Sequence, residues 1–170
     1  MRLRQGTLAP FIVVAACSSG AQESGITPVT GIVVRSETVT AGRGCGARDS
    51  EVFRYAAAIV DADGNAQGIG AFDCFADASF QNLRASQNGL FDYAIEVHAF
   101  NRTSYEEVRP QLENAALGGN LAEFRDIRPN WLTHCTARQR SEVETVANCV
   151  PLWTPWQLSG CAGATCLPKR

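Results

Sequence analysis

Cysteine is the residue type in this chain whose number and spacing point most directly to chemistry. Zinc sites typically use ligand pairs two to four residues apart, with a second such pair nearby. No C-x-x-C pair occurs here, and the nearest pair, Cys161 and Cys166, has four residues between its members. The pattern favours disulfides in an oxidising compartment over a metal site, so no metal is expected. The seven cysteines are Cys17, Cys45, Cys74, Cys135, Cys149, Cys161 and Cys166.

The odd number of cysteines predicts that one of them has a different fate, and Cys17 is the candidate. Residues 1–7 contain Arg2 and Arg4 and no acidic residue, and residues 8–16 form an apolar run. A charged start followed by a short apolar run is typical of a signal peptide. The run is too short to cross a hydrocarbon core of about 30 Å as a helix. We therefore expect residues 1–16 to be a signal peptide and not a permanent membrane span.

The end of the apolar run, Val14-Ala15-Ala16-Cys17, resembles the lipobox of bacterial lipoproteins. The resemblance implies a diacylglycerol on the Cys17 sulfur, cleavage before Cys17, and acylation of its new amino group. Several acyl chains anchor a protein stably where one does not. Ser18 is similar to the residue found in lipoproteins passed to the outer membrane, which implies a lipid anchor there in a bacterial cell envelope. Ordinary secretion is the alternative, and it would leave Cys17 without a disulfide partner.

Six cysteines remain in the mature chain, an even set that can form three disulfides with 15 possible connectivities. We expect residues 17–30, rich in Ser, Gly and Gln, to be a lipidated flexible tether. Residues 31–170 would then form the folded domain. The expected pairs, the last two chosen because their members are close in sequence, are Cys45 with Cys74, Cys135 with Cys149, and Cys161 with Cys166.

The charge balance argues against a nucleic-acid partner. The chain has 15 basic and 17 acidic residues, and loss of Arg2 and Arg4 with the signal peptide changes the net charge from -2 to -4. Phosphate binding depends on clustered Lys and Arg, and the only lysine is Lys169.

Apolar alternation predicts a mainly β domain. Short strands are expected at residues 31–40, 52–60, 67–75, 78–83 and 90–101, with a hairpin turn at residues 61–65. In the fifth strand Phe91, Tyr93, Ile95, Val97 and Ala99 would face the core. Asp92, Glu96 and His98 would then lie on a solvated face.

The second half of the chain predicts a short helical insertion and a last hairpin. Ser104 to Glu107 has the spacing of a capping box, so residues 104–127 are expected to be partly helical, with Pro110 breaking or kinking the helix. Residues 131–137 and 143–150 would form the hairpin. The sequence therefore predicts a single antiparallel, disulfide-bonded β-sandwich with a short helical insertion.

Three segments resemble the transthyretin-like or carboxypeptidase-regulatory type of sandwich. They are residues 59–65, where Ile59-x-Asp61-x-x-Gly64 is similar to the V-x-D-x-x-G turn of that family, residues 78–83, with its F-x-x-L, and residues 93–99, where Y-x-I-x-V-x-A is similar to its Y-x-L-x-V-x-A. The resemblance covers about 50 residues and implies an immunoglobulin-like or transthyretin-like fold. The whole chain is also similar to a group of uncharacterised bacterial lipoproteins, through residues 72–77 and 130–137. Neither resemblance implies a function.

Candidates for catalysis or ion binding are few. Asp61, Asp63 and Asn65 offer alternate oxygen ligands for calcium, but the Gly and Glu of an EF-hand are missing and a tight turn is favoured. His98 shares a strand face with Glu96, although a solvated polar face is favoured over an acid–base pair. No G-x-S-x-G, G-x-G-x-x-G or Walker motif occurs, so no catalytic residue and no cofactor are expected.

The tryptophans are the best candidates for binding. Trp153 and Trp156, near two prolines, would stack on a glycan or grip a partner protein if exposed. Core packing of Trp131 and docking of the tail through Trp153 and Trp156 are favoured over this. We expect a lipid-anchored envelope protein with a non-enzymatic structural or binding role. The alternative is an envelope hydrolase whose dispersed site is invisible in the sequence.

Overall fold

The computed structural model of the protein describes residues 31–83, 90–140 and 143–154. The expectations for residues 1–30, Trp156, Cys161 and Cys166 lie outside these ranges. Within these ranges the chain is mainly β, with two sheets, few helices and two disulfides. Its elements, in chain order, are β1 (Ile32–Val34), α1 (Ser36–Val39), β2 (Arg54–Val60), β3 (Ala66–Asp73), β4 (Ala78–Phe80), β5 (Leu90–Phe100), α2 (Arg102–Gly118), α3 (Leu121–Asp126), β6 (Trp131–Arg140), β7 (Thr145–Val146) and β8 (Asn148–Cys149).

The larger sheet has five strands in the order β3-β2-β5-β6-β8, and all neighbours are antiparallel. The β2–β3 hairpin turns at residues 61–65 as expected, with Gly64 at a φ of 85°, which glycine adopts without strain. β2 lies one strand in from the edge, and its residues from Tyr55 to Val60 are buried. A strand that is apolar at every position is typical of burial on both faces.

The smaller sheet has three strands in the order β4-β1-β7. β1 pairs antiparallel with β4 but parallel with β7, so the expectation of a wholly antiparallel fold is wrong at this pair. A parallel pair joins segments far apart in sequence, and here about 110 residues separate Val33 from Val146. The local sequence pattern of either strand does not predict such a pairing.

The expected strand at residues 31–40 is only three residues long, because the chain turns into α1 after Val34. The Asp77 carboxylate accepts hydrogen bonds from the Ser36 backbone N–H at 2.8 Å and from Arg35 Nη1 at 2.7 Å. These contacts fix the chain as it leaves β1. A residue more than 40 positions away thus overrides the local β propensity.

One face of the five-stranded sheet shares a buried cluster with the three-stranded sheet. The inward residues expected for β5 lie on this face, with Phe91 at its margin. Aliphatic and aromatic side chains dominate, so this cluster is the main hydrophobic core. Its largest members are Ile32, Val34, Val39, Val52, Tyr55, Ile59, Phe80, Tyr93, Ile95, Val97 and Trp131.

The opposite face of the five-stranded sheet is covered by α2 and α3, so the expectation of a solvated face is wrong for His98. Asn101 and its neighbours carry the chain directly from β5 into α2, and α3 follows after a two-residue connection. Apolar residues of both helices pack against the sheet, because an amphipathic helix is stabilised when its apolar face is buried. This second cluster consists of Ala56, Ala58, Phe100, Tyr105, Leu112, Ala115, Phe124 and Ile127.

α2 begins two residues before the expected helical insertion of residues 104–127, and α2 and α3 together occupy most of that range. Its N-cap is Asn101, whose side chain accepts a hydrogen bond from the Ser104 N–H at 2.9 Å, so the capping box at Ser104 is not used. The helix also continues through Pro110, so the expected break is wrong. Proline costs about 3 kcal/mol in a helix interior, and burial of Tyr105 and Leu112 on either side of it offsets that cost.

We expect Asn101→Ala to lower the free energy of unfolding by about 1 kcal/mol, because the α2 N-cap is lost. Asn101→Asp should retain most of the stability, since its carboxylate accepts the same bond. Asn114→Ala is a matched control on the exposed side of α2, and it should not destabilise the protein. Urea unfolding followed by circular dichroism measures all three. Equal loss in the Asn101 and Asn114 alanine variants would contradict the capping assignment.

The last expected hairpin, residues 131–137 with 143–150, forms only in part. β8 pairs antiparallel with β6, as expected, but β7 leaves to join the other sheet beside β1. The segment 143–150 therefore connects the two sheets at one side of the core. Ala147 between the two strands is buried, which is consistent with this bridging role.

Candidate functional site

The first disulfide, Cys45–Cys74, joins the loop after α1 to the turn after β3. The Cα atoms are 5.5 Å apart, within the usual range for a disulfide. The same turn is fixed by the Tyr55 hydroxyl, which donates to the Ala76 carbonyl at 2.6 Å. Burial raises the pKa of Tyr55, so its hydroxyl stays a donor across the working range of pH.

The second disulfide, Cys135–Cys149, links β6 and β8 at directly opposed positions. Its Cα atoms are 3.9 Å apart, and Cys135 is fully buried in the main core. Both pairings agree with those expected from the sequence. The third expected pair, Cys161 with Cys166, lies outside the described residues.

The tryptophans do not form an exposed platform in the described part of the chain. Trp131 belongs to the main core, with the Arg43 guanidinium 5.4 Å above its ring. Trp153 is half-buried, and its backbone N–H and C=O both bond to Leu132, at 2.9 and 2.8 Å. Both tryptophans are thus packed into the protein and neither forms a freely exposed aromatic surface.

Both carboxylate oxygens of Asp61 accept hydrogen bonds within the β2–β3 hairpin, so this side chain stabilises the turn. Its Oδ1 accepts from the backbone N–H groups of Asp63 and Asn65, at 3.0 and 2.9 Å, and its Oδ2 accepts from Gln67 Nε2 at 2.7 Å. This is the Asx-type turn that the sequence favoured. Within residues 31–83, 90–140 and 143–154, no group of three or more His, Cys, Asp or Glu side chains is placed to hold a metal ion.

His98 is a buried titratable side chain beneath α3. It is 5% exposed and its ring stacks on Phe124 of α3, with centroids 4.3 Å apart. Its Nδ1 has no hydrogen-bond partner among the described residues. Burial, followed by the nearby Arg125 charge, lowers the pKa of His98 to about 3. His98 is therefore neutral in the folded protein at neutral pH.

The carboxylate of Glu96, two residues before His98 on the same strand, is engaged by Arg125 of α3. Arg125 Nε donates to both Glu96 oxygens, at 3.0 and 3.1 Å, and Nη2 adds a further contact. The pair ties α3 to β5. The structure thus brings Glu96 and His98 to one face, as expected, but the carboxylate serves an ion pair and not a catalytic dyad.

The burial of neutral His98 predicts acid lability. Between about pH 3 and 6.5 the unfolded state binds a proton at this histidine that the folded state does not, so the free energy of unfolding falls as pH falls. From pH 7 to pH 5 the contribution of His98 should decrease by about 2 kcal/mol. The test compares urea unfolding of the wild type and His98→Gln at both values, since carboxylate titrations then cancel. An equal pH dependence in the two proteins would refute it.

An open depression of about 460 Å³ lies beside the β2–β3 turn. Across it the Asp92 carboxylate accepts from Arg138 Nε at 2.7 Å, and both side chains are exposed. Exposed ion pairs contribute little to stability. The depression is shallow and open to solvent.

Exposed large apolar side chains mark the surface regions most suited to a partner. Three of them, Val143, Val146 and Val150, belong to the segment that joins the two sheets. The exposed apolar surface of this segment was not predicted, because the sequence pattern indicated an ordinary hairpin strand at residues 143–150. The other two are Phe75, 81% exposed just past β3, and Leu117, 89% exposed near the end of α2.

The described helices include none that is both long and apolar enough to span a membrane. No known protein family matches the chain, and no curated protein does. Among solved structures, the chain is similar to a fimbrial assembly protein from Parabacteroides distasonis, with 8% identity and a TM-score of 0.37. The alignment covers 72% of this chain and 52% of that one, so the chain spans about half the length of this neighbour. At that level of similarity nothing is transferred from one protein to the other.

Proposed function

We propose that the chain is a lipid-anchored protein of the bacterial cell envelope with a non-enzymatic structural or binding role. The observation that carries the proposal is the pair of disulfides, Cys45–Cys74 and Cys135–Cys149. Disulfides form and persist in oxidising compartments such as the periplasm. The lipobox that ends at Cys17 supplies a route to that compartment and an attachment to the membrane.

The proposal includes an immunoglobulin-like or transthyretin-like sandwich. Its support is the buried cluster shared by the two sheets, together with the β2–β3 hairpin and the inward alternation of β5. Such a domain places its core between sheets and leaves turns, strand edges and connecting segments for recognition. The partner would be an envelope protein or a glycan.

A binding role is favoured over hydrolysis by the surroundings of the described histidine and tryptophan side chains. His98 is stacked beneath α3, and the Glu96 carboxylate beside it is held by Arg125. The apolar surface around Val143, Val146 and Val150, with half-buried Trp153 nearby in the sequence, is the proposed partner-facing region. Apolar surface exposed on one segment is typical of recognition sites.

Cys17→Ser tests the anchor that the proposal requires. The variant cannot form the thioether, so we expect the wild type in the membrane fraction and Cys17→Ser in the soluble envelope fraction or as an unprocessed precursor. Cys161→Ser is the matched control, because it removes a cysteine and leaves the lipobox intact. Membrane association of Cys17→Ser equal to that of the wild type would overturn the proposal.

A further inference from the structure

The outer edge of β3 is the longest free strand edge in the described part of the chain. β3 is an eight-residue edge strand of the larger sheet, and no strand within residues 31–83, 90–140 and 143–154 pairs with its outer side. The other edge strands, β4, β7 and β8, have two or three residues each. An edge strand presents a row of unpaired backbone N–H and C=O groups, which another extended strand can satisfy.

β3 has few of the features that normally block edge pairing. Its sequence from Ala66 to Phe72 has no charge and no proline, and it includes Gly68 and Gly70. Its pairing with β2 shifts register between Ile59 and Val60, where Gln67 is the extra residue on β3, and the ladder from Gly68 to Asp73 is regular. Natural edges are usually protected by lysine, proline, bulges or shortness. The irregularity at Gln67 lies near the start of this edge, so the regular length that follows it indicates a strand that pairs with something.

We propose that β3 pairs antiparallel with β3 of a second copy of this chain, about a twofold axis at Ile69. In this register Gln67 lies opposite the partner's Ala71, Gly68 opposite the partner's Gly70, and Ala66 opposite the partner's Phe72. Gln67 and Phe72 then each lie opposite an alanine, and Ile69 lies opposite its own copy. A twofold interface has to be self-complementary, and this strand meets that condition in size and in charge.

Two features at the ends of β3 fit the same arrangement. Asp73, the only charged residue of the strand, is already paired with Arg54 Nη2 of β2 at 2.6 Å, so no uncompensated charge enters the interface. Phe75 lies two residues past the strand, and the register places it beside the β2–β3 turn of the partner subunit. That contact would cover the exposed ring. One strand pair and two rings make a small interface, so the dimer is reversible.

Disulfide trapping tests both the pairing and its register. Full-length Gln67→Cys and Ala71→Cys chains are expressed together in the same cell and compared with each variant alone on non-reducing gels. Opposed Cα atoms in an antiparallel pair are about 4.5–5.5 Å apart, which permits a disulfide. In either variant alone the two new cysteines are displaced by about four residues, or about 13 Å, and cannot bond. We expect a cross-linked dimer only in the mixture.

The control is Ser79→Cys, at an exposed position of β4, which should not cross-link to either variant. Ala71→Lys should raise the dimer dissociation constant of the full chain by at least about tenfold in sedimentation experiments, because a lysine on an edge strand opposes pairing with another strand. A wild type that stays monomeric at every concentration, or trapping that is equal with Ser79→Cys, would overturn the inference. The cross-link should persist in a Cys17→Ser background, so failure of the anchor and failure of the dimer are separate results.

Discussion

Replacing Cys45 and Cys74 together by alanine is expected to lower the free energy of unfolding by about 3.5 kcal/mol. The bond closes a loop between residues 29 positions apart, and its loss restores conformational freedom to the unfolded chain. It also releases the turn after β3 from the loop after α1, and the side chain of Cys74 is buried. The measurement is urea unfolding of the mature protein without reductant, followed by fluorescence.

The matched control for this variant is the pair Cys135→Ala with Cys149→Ala. Its bond closes a loop of 14 positions, so the expected loss is slightly smaller, about 3 kcal/mol. Reductant should destabilise the wild type more than either double variant, because each variant has already lost one bridge. If Cys45→Ala/Cys74→Ala unfolded at the wild-type urea concentration, the bridge would contribute nothing and the account of an oxidised, disulfide-held domain would be wrong.

Phe124→Ala is expected to be about as damaging, with a loss of about 3–5 kcal/mol. Phe124 is fully buried and is the side chain through which the six-residue helix α3 packs on the sheet. Removal of the ring leaves a cavity over His98 that the short helix cannot fill without moving. Leu117→Ala is the control, because Leu117 is 89% exposed on α2 and its loss should change stability by less than about 0.5 kcal/mol.

The Phe124 variant has a second, independent readout. Water that enters the cavity would reduce the desolvation of His98, so its pKa should rise from about 3 toward the ordinary value. The fall in stability between pH 7 and pH 5 should then be smaller in Phe124→Ala than in the wild type. A loss below about 1 kcal/mol, or an unchanged pH profile, would contradict the packing of α3 described above.

The sequence predicted best the strands in which one face is apolar and the other is polar. β5 alternates clearly, and its odd-numbered residues from Tyr93 to Ala99 do face the main core. The adjacent turn at Asp61 was predictable for a similar reason, because its Asp, Gly and Asn residues have strong local preferences. The sequence was therefore sufficient to predict conformation where that conformation depends on residues close together in the chain.

Burial of the second face could not be predicted, because the residues that reveal it are ambiguous. Ala56 and Ala58 face the helices, yet alanine is common on both buried and exposed surfaces. His98 is polar and alternates with apolar neighbours, which is the usual sign of a solvated face. Only the packing of Phe124 from a helix 26 positions later makes that face buried.

The other errors have the same physical origin in long-range contacts. Asp77 ends β1 by capping the start of α1, and β7 leaves its expected hairpin to pair in parallel with β1. Pro110 stays inside α2 because side chains on both sides of it are buried. The bond between Cys135 and Cys149 agrees with the argument from proximity across a hairpin, and the bond between Cys45 and Cys74 agrees with an expectation that had no such argument behind it. Trp153 is half-buried, which its position in the tail did not reveal.

The most direct test of the account is the intact mass of the mature protein purified from membranes, measured with and without reduction. The account predicts a polypeptide that begins at Cys17 and carries a diacylglycerol and an amide-linked acyl chain. It also predicts that reduction and thiol alkylation add six alkyl groups, one for each cysteine from Cys45 to Cys166. A product that begins at Met1, or one without fatty acid, would contradict it.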